Sequence, residues 1–142
     1  MGINFTSAIE KTAAILSGIN FEELPISEYN KRYIRILKPA IEYYLSIYSY
    51  CLDKGLRNLG IPYSDVTLVD FGGGSGFLSI FAKKLGIGNI IYVDLNPLSV
   101  ETIKLLKEKT GVGPDIILHG RACTKMEIYD MPANQFSYSH FG

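Results

Sequence analysis

The chain has 142 residues, with 47% hydrophobic and 20% charged residues, which describes one globular domain with a real core and excludes a disordered segment. Lysine plus arginine equals aspartate plus glutamate at 14 each, so no overall field draws the chain to nucleic acid or to an anionic lipid surface. The start lacks the basic-then-apolar order of a signal peptide, and no apolar run approaches the ~18 residues of a membrane span, so a cytoplasmic protein is expected. Cys51 and Cys123 stand far apart with no histidine at ligand spacing, which favours two buried free thiols over a disulfide or a metal site.

Residues 1–60 read as a helical segment. Ser7 and Glu10 match a capping box that opens a first helix, with Ala13 and Leu16 on the face of Ile9 and Gly18 as its stop. Phe21 to Pro25 reads as a loop, and Ser27 caps a second helix that runs to Leu37. Lys31, Arg32, Arg35 and Lys38 give that helix a basic side, read as a solvated face ahead of a contact to phosphate or an acidic substrate. Pro39 bends the chain or opens the next helix, where Ile41, Tyr44, Leu45, Tyr48, Leu52, Leu56 and Leu59 recur at helical spacing until Gly60 and Pro62. Tyr29, Tyr33, Tyr43, Tyr44, Tyr48 and Tyr50 crowd this half, and a tyrosine stripe at helical spacing reads as packing before it reads as a substrate pocket.

From Val66 the pattern changes to strand and helix in alternation: strand 66–70, helix 76–85, strand 90–94, helix 97–109, strand 115–119. Connections this short predict right-handed βαβ crossovers and a parallel sheet. Val66, Leu68 and Val69 suit a strand buried on both faces. Asn96 and Pro97 are a cap and first-turn residue for the fifth helix, and Gly111 ends it. Alternation from Gln135 to Phe141 suggests a fourth, weaker strand.

The chemistry concentrates where the first strand meets its helix. Gly72, Gly73, Gly74 and Gly76 can take positive φ and let the backbone approach a ligand, and the helix that follows would aim its N–H groups there. Asp70 closes the strand just before the loop, placed to organise loop amides or a ligand ammonium group. Asp94 closes the next strand on the same rim, where a carboxylate can accept both hydroxyls of a ribose. The dinucleotide fingerprint needs glycine where this chain has Phe77.

At these residues the sequence resembles the class I S-adenosylmethionine-dependent methyltransferases. Their first motif, an acid followed by x-G-x-G-x-G, matches Asp70-Phe71-Gly72-Gly73-Gly74-Ser75-Gly76, and their second, an acid closing strand two, matches Asp94 in Tyr92-Val93-Asp94-Leu95-Asn96-Pro97. The resemblance covers residues 65–120 and implies an α/β, Rossmann-like, partly parallel sheet that is incomplete after about strand four. It implies S-adenosylmethionine as cofactor, held by Asp70, Phe71, Gly72, Gly73, Gly74, Gly76, Asp94, Leu95 and Asn96. The glycine loop would lie along the methionine part, Asp94 on the ribose and Leu95 on the adenine. Residues 1–60 would cover the substrate side and 61–142 form the partial cofactor domain.

Two departures stand out. The acid expected after strand three is replaced by His119-Gly120-Arg121, with His119 or the backbone near Arg121 as substitutes, and Ser137 stands where strand four often has an acid. The sheet would keep an uncovered edge that seeks a partner, so homo-oligomerisation through that edge is expected. The reading is methyl transfer to an acceptor for which a small molecule is expected ahead of a macromolecule, with no metal and no membrane. No catalytic residue is assigned; Tyr29, Tyr33 and His140 are the candidates for a base. The alternatives are a cofactor-binding fragment without activity and a nicotinamide-dependent oxidoreductase.

Overall fold

The computed structural model of the chain describes residues 4–120. The expected strand at 135–141, together with Cys123, Arg121, Ser137 and His140, lies outside them. Helix α1 (Phe5–Ser17) begins one turn earlier than Ser7 suggested, because Asn4 is the cap and its side chain accepts from the Ser7 N–H at 3.0 Å. Asparagine caps as well as serine, and the earlier start brings Phe5 against the core. The loop at 21–25 contains a 3₁₀ turn, Phe21–Glu23, which buries Phe21.

Ser27 caps α2 (Glu28–Leu37) as expected, accepting from the Asn30 N–H at 3.2 Å. The basic side of α2 is only partly a solvated face. Arg35 pairs with Glu22 at 2.6 Å and Glu28 at 2.5 Å, Lys31 donates to the Glu22 carbonyl at 2.8 Å, and Lys38 donates to the Ile19 carbonyl at 2.7 Å. These cations fasten α2 to the preceding loop and leave Arg32 exposed. A 3₁₀ turn through Pro39 (Lys38–Ala40) leads into α3 (Ile41–Leu56), whose inward row is Ile41, Leu45, Ser49, Leu52 and Leu56. Leu59 lies past the helix end and is exposed, as is Cys51, which precedes inward-facing Leu52 on the outer side of α3. The expectation of two buried thiols therefore fails at Cys51.

The second half follows the predicted alternation. Strands β1 (Thr67–Phe71), β2 (Asn89–Asp94) and β3 (Ile116–His119) form a parallel sheet in the order β1-β2-β3, joined by α4 (Phe77–Leu85) and α5 (Pro97–Thr110). The Asn96 side chain accepts from the Leu98 N–H at 2.9 Å, with Pro97 in the first turn. Leu68, Ile90, Tyr92 and Ile117 face the helices and join one large cluster with Leu16, Ile34, Leu45, Phe77, Ile80 and Ile103. Val69, Ile91, Val93, Ile116 and Leu118 form a separate cluster on the other face of the sheet. Leu68 and Val69 are half-buried, so β1 is not the fully enclosed strand its composition suggested. Among the described residues β1 pairs with β2 alone. No described helix is long and apolar enough to cross a membrane.

Candidate functional site

Parallel pairing brings the ends of β1 and β2 to one rim, with Asp70 opposite Tyr92 and Phe71 opposite Val93. Just beyond that rim lies a cavity of about 280 Å³. Its floor is the loop Gly72–Ser75 with Asp94, Ser99 and Phe77; its other wall is Tyr29, Asn30, Tyr33 and Leu37 of α2 and Tyr48 of α3.

The loop is held by the chain itself. The N–H groups of Gly72 and Gly73 donate to the Val93 carbonyl at 2.8 and 3.3 Å, and that of Gly76 donates to the Gly73 carbonyl at 2.9 Å. The Gly74 N–H donates to Asp94 Oδ2 at 2.8 Å, and the Tyr92 hydroxyl donates to the Gly74 carbonyl at 2.5 Å. These amides are therefore turned inward. What the loop offers is bare Cα surface. Gly72 and Gly74 have φ of +65° and +58°, and among the described residues nothing lies within 4 Å of where their Cβ atoms would be.

Gly73 and Gly76 are glycines for a different reason. A Cβ on Gly73 would sit 2.4 Å from Tyr92 Cε2, and one on Gly76 would sit 2.0 Å from Ile103 Cδ1. Packing from beneath, and not ligand approach, excludes a side chain at both.

The two acids divide the work differently from the expectation. Asp70 is 5% exposed, lies under the loop, and accepts from the Ser79 hydroxyl at 2.7 Å, pinning α4 to β1. Burial raises its pKa, the Ser79 bond opposes this, and the charge of Asp94 adds to the rise. The loop amide is held by Asp94, whose other oxygen accepts from the Asn96 N–H at 2.7 Å. A carboxylate has about four acceptor positions, so among the described residues two remain open on Asp94, which lines the cavity.

Of the nine residues proposed to hold a cofactor, Gly72, Gly73, Gly74 and Asp94 line the cavity, and Asp70, Phe71, Gly76, Leu95 and Asn96 do not. Asn96 caps α5, Phe71 is partly exposed, and the Leu95 side chain is exposed. Its carbonyl meets His119 Nε2 at 2.7 Å, and since a carbonyl only accepts, Nε2 carries the hydrogen. His119 thus braces the turn after β2.

Sequence reasoning missed Asn30, Leu37, Ser75, Phe77 and Ser99, and placed Tyr48 in packing. Asn30 and Ser99 are each 2% exposed; the Ser99 hydroxyl donates to Asn30 Oδ1 at 3.2 Å, and Asn30 Nδ2 donates to Ser27 at 2.9 Å. This buried bridge holds α2 against the start of α5. The only hint in the sequence was that both residues sit in the first turn of a capped helix.

Tyr29 and Tyr33, one helical turn apart, meet edge-to-face with centroids 5.0 Å apart. The Tyr29 phenol is held above its ordinary range first by its hydrogen-bonding contact with Tyr33, with burial and the charge of Asp94 adding and Asn96 opposing. The Tyr48 phenol is raised mainly by burial, then by the charge of Asp70.

A family model described as ribosomal protein L11 methyltransferase (PrmA) matches residues 51–131. Curated relatives carrying that same description include proteins of Aeromonas hydrophila, 38% identical over 60 residues, which is 42% of this chain and 20% of the relative. The protein of Myxococcus xanthus is 40% identical over 60 residues, with the same coverage of 42% and 20%. That of Dechloromonas aromatica is 44% identical over 62 residues, covering 44% of this chain and 20% of the relative. The chain spans about a fifth of the length of these curated relatives. No solved structure matches it. The acid-glycine motif, the strand-two acid and the parallel sheet that carries them agree with the family match: the chain belongs to the ribosomal protein L11 methyltransferase (PrmA) family.

Proposed function

We propose that this chain is the S-adenosylmethionine-binding part of a methyltransferase whose acceptor is a protein, with ribosomal protein L11 the first to test. The observation that carries the cofactor reading is the meeting of bare loop surface at Gly72 and Gly74 with the Asp94 carboxylate at one cavity. Two open acceptor positions on Asp94 suit a pair of ribose hydroxyls, and a loop without Cβ atoms there suits close approach of a flat or extended ligand. A cavity of 280 Å³ is just under the ~300–1,000 Å³ of small-molecule sites, so the ligand would extend beyond it toward the rim. The acceptor reading rests on the relatives, whose shared name specifies a protein, against the small molecule expected from sequence.

The cofactor would supply a methyl group on a sulfonium, a good leaving group. What remains for the chain is to hold that group in line with the acceptor, and orientation is worth a large part of such a barrier. Tyr29 and Tyr48 of the cavity do not act as bases. Tyr29 and Tyr48 are both raised in pKa, so at neutral pH they keep their protons and donate.

The test is calorimetric titration with S-adenosylmethionine and S-adenosylhomocysteine, on the chain as given and on Asp94→Ala. Loss of even one charge-assisted bond at about 1.5–3 kcal/mol corresponds to about 10- to 150-fold weaker binding in the variant. Radiolabelled methyl transfer to purified ribosomal protein L11 then tests the acceptor. A folded chain that binds neither compound would refute the cofactor reading.

A further inference from the structure

We propose that Tyr29 and Tyr33 of α2 form an aromatic platform for the adenine of the ligand, a binding element supplied from outside the family-matched residues. The proposal rests on the cofactor reading above and names how its purine is held. The match begins at residue 51, so α1, α2 and most of α3 lie outside it, yet α2 lines the cavity with Tyr29, Asn30, Tyr33 and Leu37.

Three observations converge. First, among the described residues the end of β3 offers no free side chain to read a purine. At the end of β3 stands His119, which is spent on the Leu95 carbonyl, and the exposed Leu95 does not line the cavity. Asp115, which precedes β3, sits at its opposite end and is held by Lys83 at 2.9 Å. Second, Tyr29 and Tyr33 are 48% and 50% exposed although they line the cavity, so the pair keeps open aromatic surface there. Their edge-to-face contact stiffens both rings.

Third, Tyr29 and Tyr33 share the cavity with Asp94, so a ribose on Asp94 would carry its base within reach of α2. The platform is also fixed in place, because Asn30, between the two tyrosines in sequence, is clamped by Ser99 and Ser27.

Stacking on a ring face does not read hydrogen-bonding edges, so the contact depends on aromaticity and not on the phenol. The experiment is titration of the 142-residue chain with adenosine and with S-adenosylhomocysteine, for the unaltered chain, Tyr29→Leu with Tyr33→Leu, and Tyr29→Phe with Tyr33→Phe. Melting curves check that each variant is folded. The leucine pair is expected to weaken both ligands at least tenfold, and the phenylalanine pair to stay within about twofold. If the unaltered chain binds S-adenosylhomocysteine and the leucine pair binds it equally well, the platform is refuted while the cofactor reading stands. Equal loss in the phenylalanine pair would assign the contact to the hydroxyls and also overturn the proposal. Failure of the unaltered chain to bind either compound overturns the cofactor reading and the platform with it.

Discussion

Replacing Gly73 by alanine separates packing beneath the loop from ligand approach above it. The new methyl would lie 2.4 and 2.5 Å from Tyr92 Cε2 and Cδ2 and 2.9 Å from Asp70 Oδ2. Tyr92 has nowhere to retreat: it is 0% exposed on the central strand, and its hydroxyl is tied to the Gly74 carbonyl at 2.5 Å. Overpacking of a tight core costs about 1–3 kcal/mol. If the ring tilts enough to break its hydrogen bond, the stranded hydroxyl adds about 1–3 kcal/mol. Gly73→Ala is therefore expected to lose about 1–6 kcal/mol in urea unfolding followed by circular dichroism.

Gly74→Ala is the comparison, because its methyl would meet nothing within 4 Å among the described residues and the substitution bears only the left-handed backbone, about 1–2 kcal/mol. In a Tyr92→Leu background the shorter side chain makes room, and the cost of Gly73→Ala should shrink by about 0.5–3 kcal/mol, the range for residues in contact. A loss under about 0.5 kcal/mol for Gly73→Ala, or an undiminished loss beside Leu at 92, would refute this account of the loop.

Two further outcomes follow from buried polar groups. Asp70 has a native pKa raised above 3.8, chiefly by burial, so the native state keeps its proton to higher pH than the unfolded chain. Its stabilising contribution is full below the unfolded value and is lost as pH rises through the native one. Asp70→Asn, which can still accept from Ser79, should flatten the fall in urea midpoint as pH is raised above about 4; an unchanged slope would assign that pH dependence elsewhere. Asn30→Ala leaves the Ser99 hydroxyl without its acceptor at a 2% exposed position. It should cost about 1–3 kcal/mol and speed amide exchange in α2 before the sheet, as read by mass spectrometry; uniform protection would show that α2 does not rely on this bridge.

What the sequence made legible was local. Asn96 and Pro97 fix the start of α5 through their own backbone chemistry, and the acids at 70 and 94 mark strand ends because strand and loop compositions differ there. At the first helix two caps competed within one turn, and Asn4 prevailed over Ser7 because the longer helix brings Phe5 to the core. The glycine positions were readable, but their reasons were not. Gly73 answers to Tyr92 and Gly76 to Ile103, and both contacts exist only after β2 and α5 have docked. The tyrosines of α2 were equally opaque. Helical spacing puts Tyr29 and Tyr33 on one face, and contacts remote in sequence, such as the bridge from Asn30 to Ser99 69 positions away, hold that face at the cavity.

That division bears on how binding would work. A glycine loop whose amides were free would be flexible and would have to be ordered by its ligand, at an entropic cost to affinity. Here Val93, Asp94 and Tyr92 hold the loop through the sheet itself, so the ordering belongs to folding and not to binding. Asp94 is the link between the two. One carboxylate fixes Gly74 and Asn96 and still faces the cavity, so the group that shapes the loop is also the group available to a ligand. A change at Asp94 therefore acts on loop geometry and on contact at once, whereas a change at Tyr29 or Tyr33 acts on contact alone. Comparing the two separates a preformed site from an induced one: in a preformed site the tyrosine variants weaken binding without altering the protection of loop amides from exchange, while Asp94→Ala alters both.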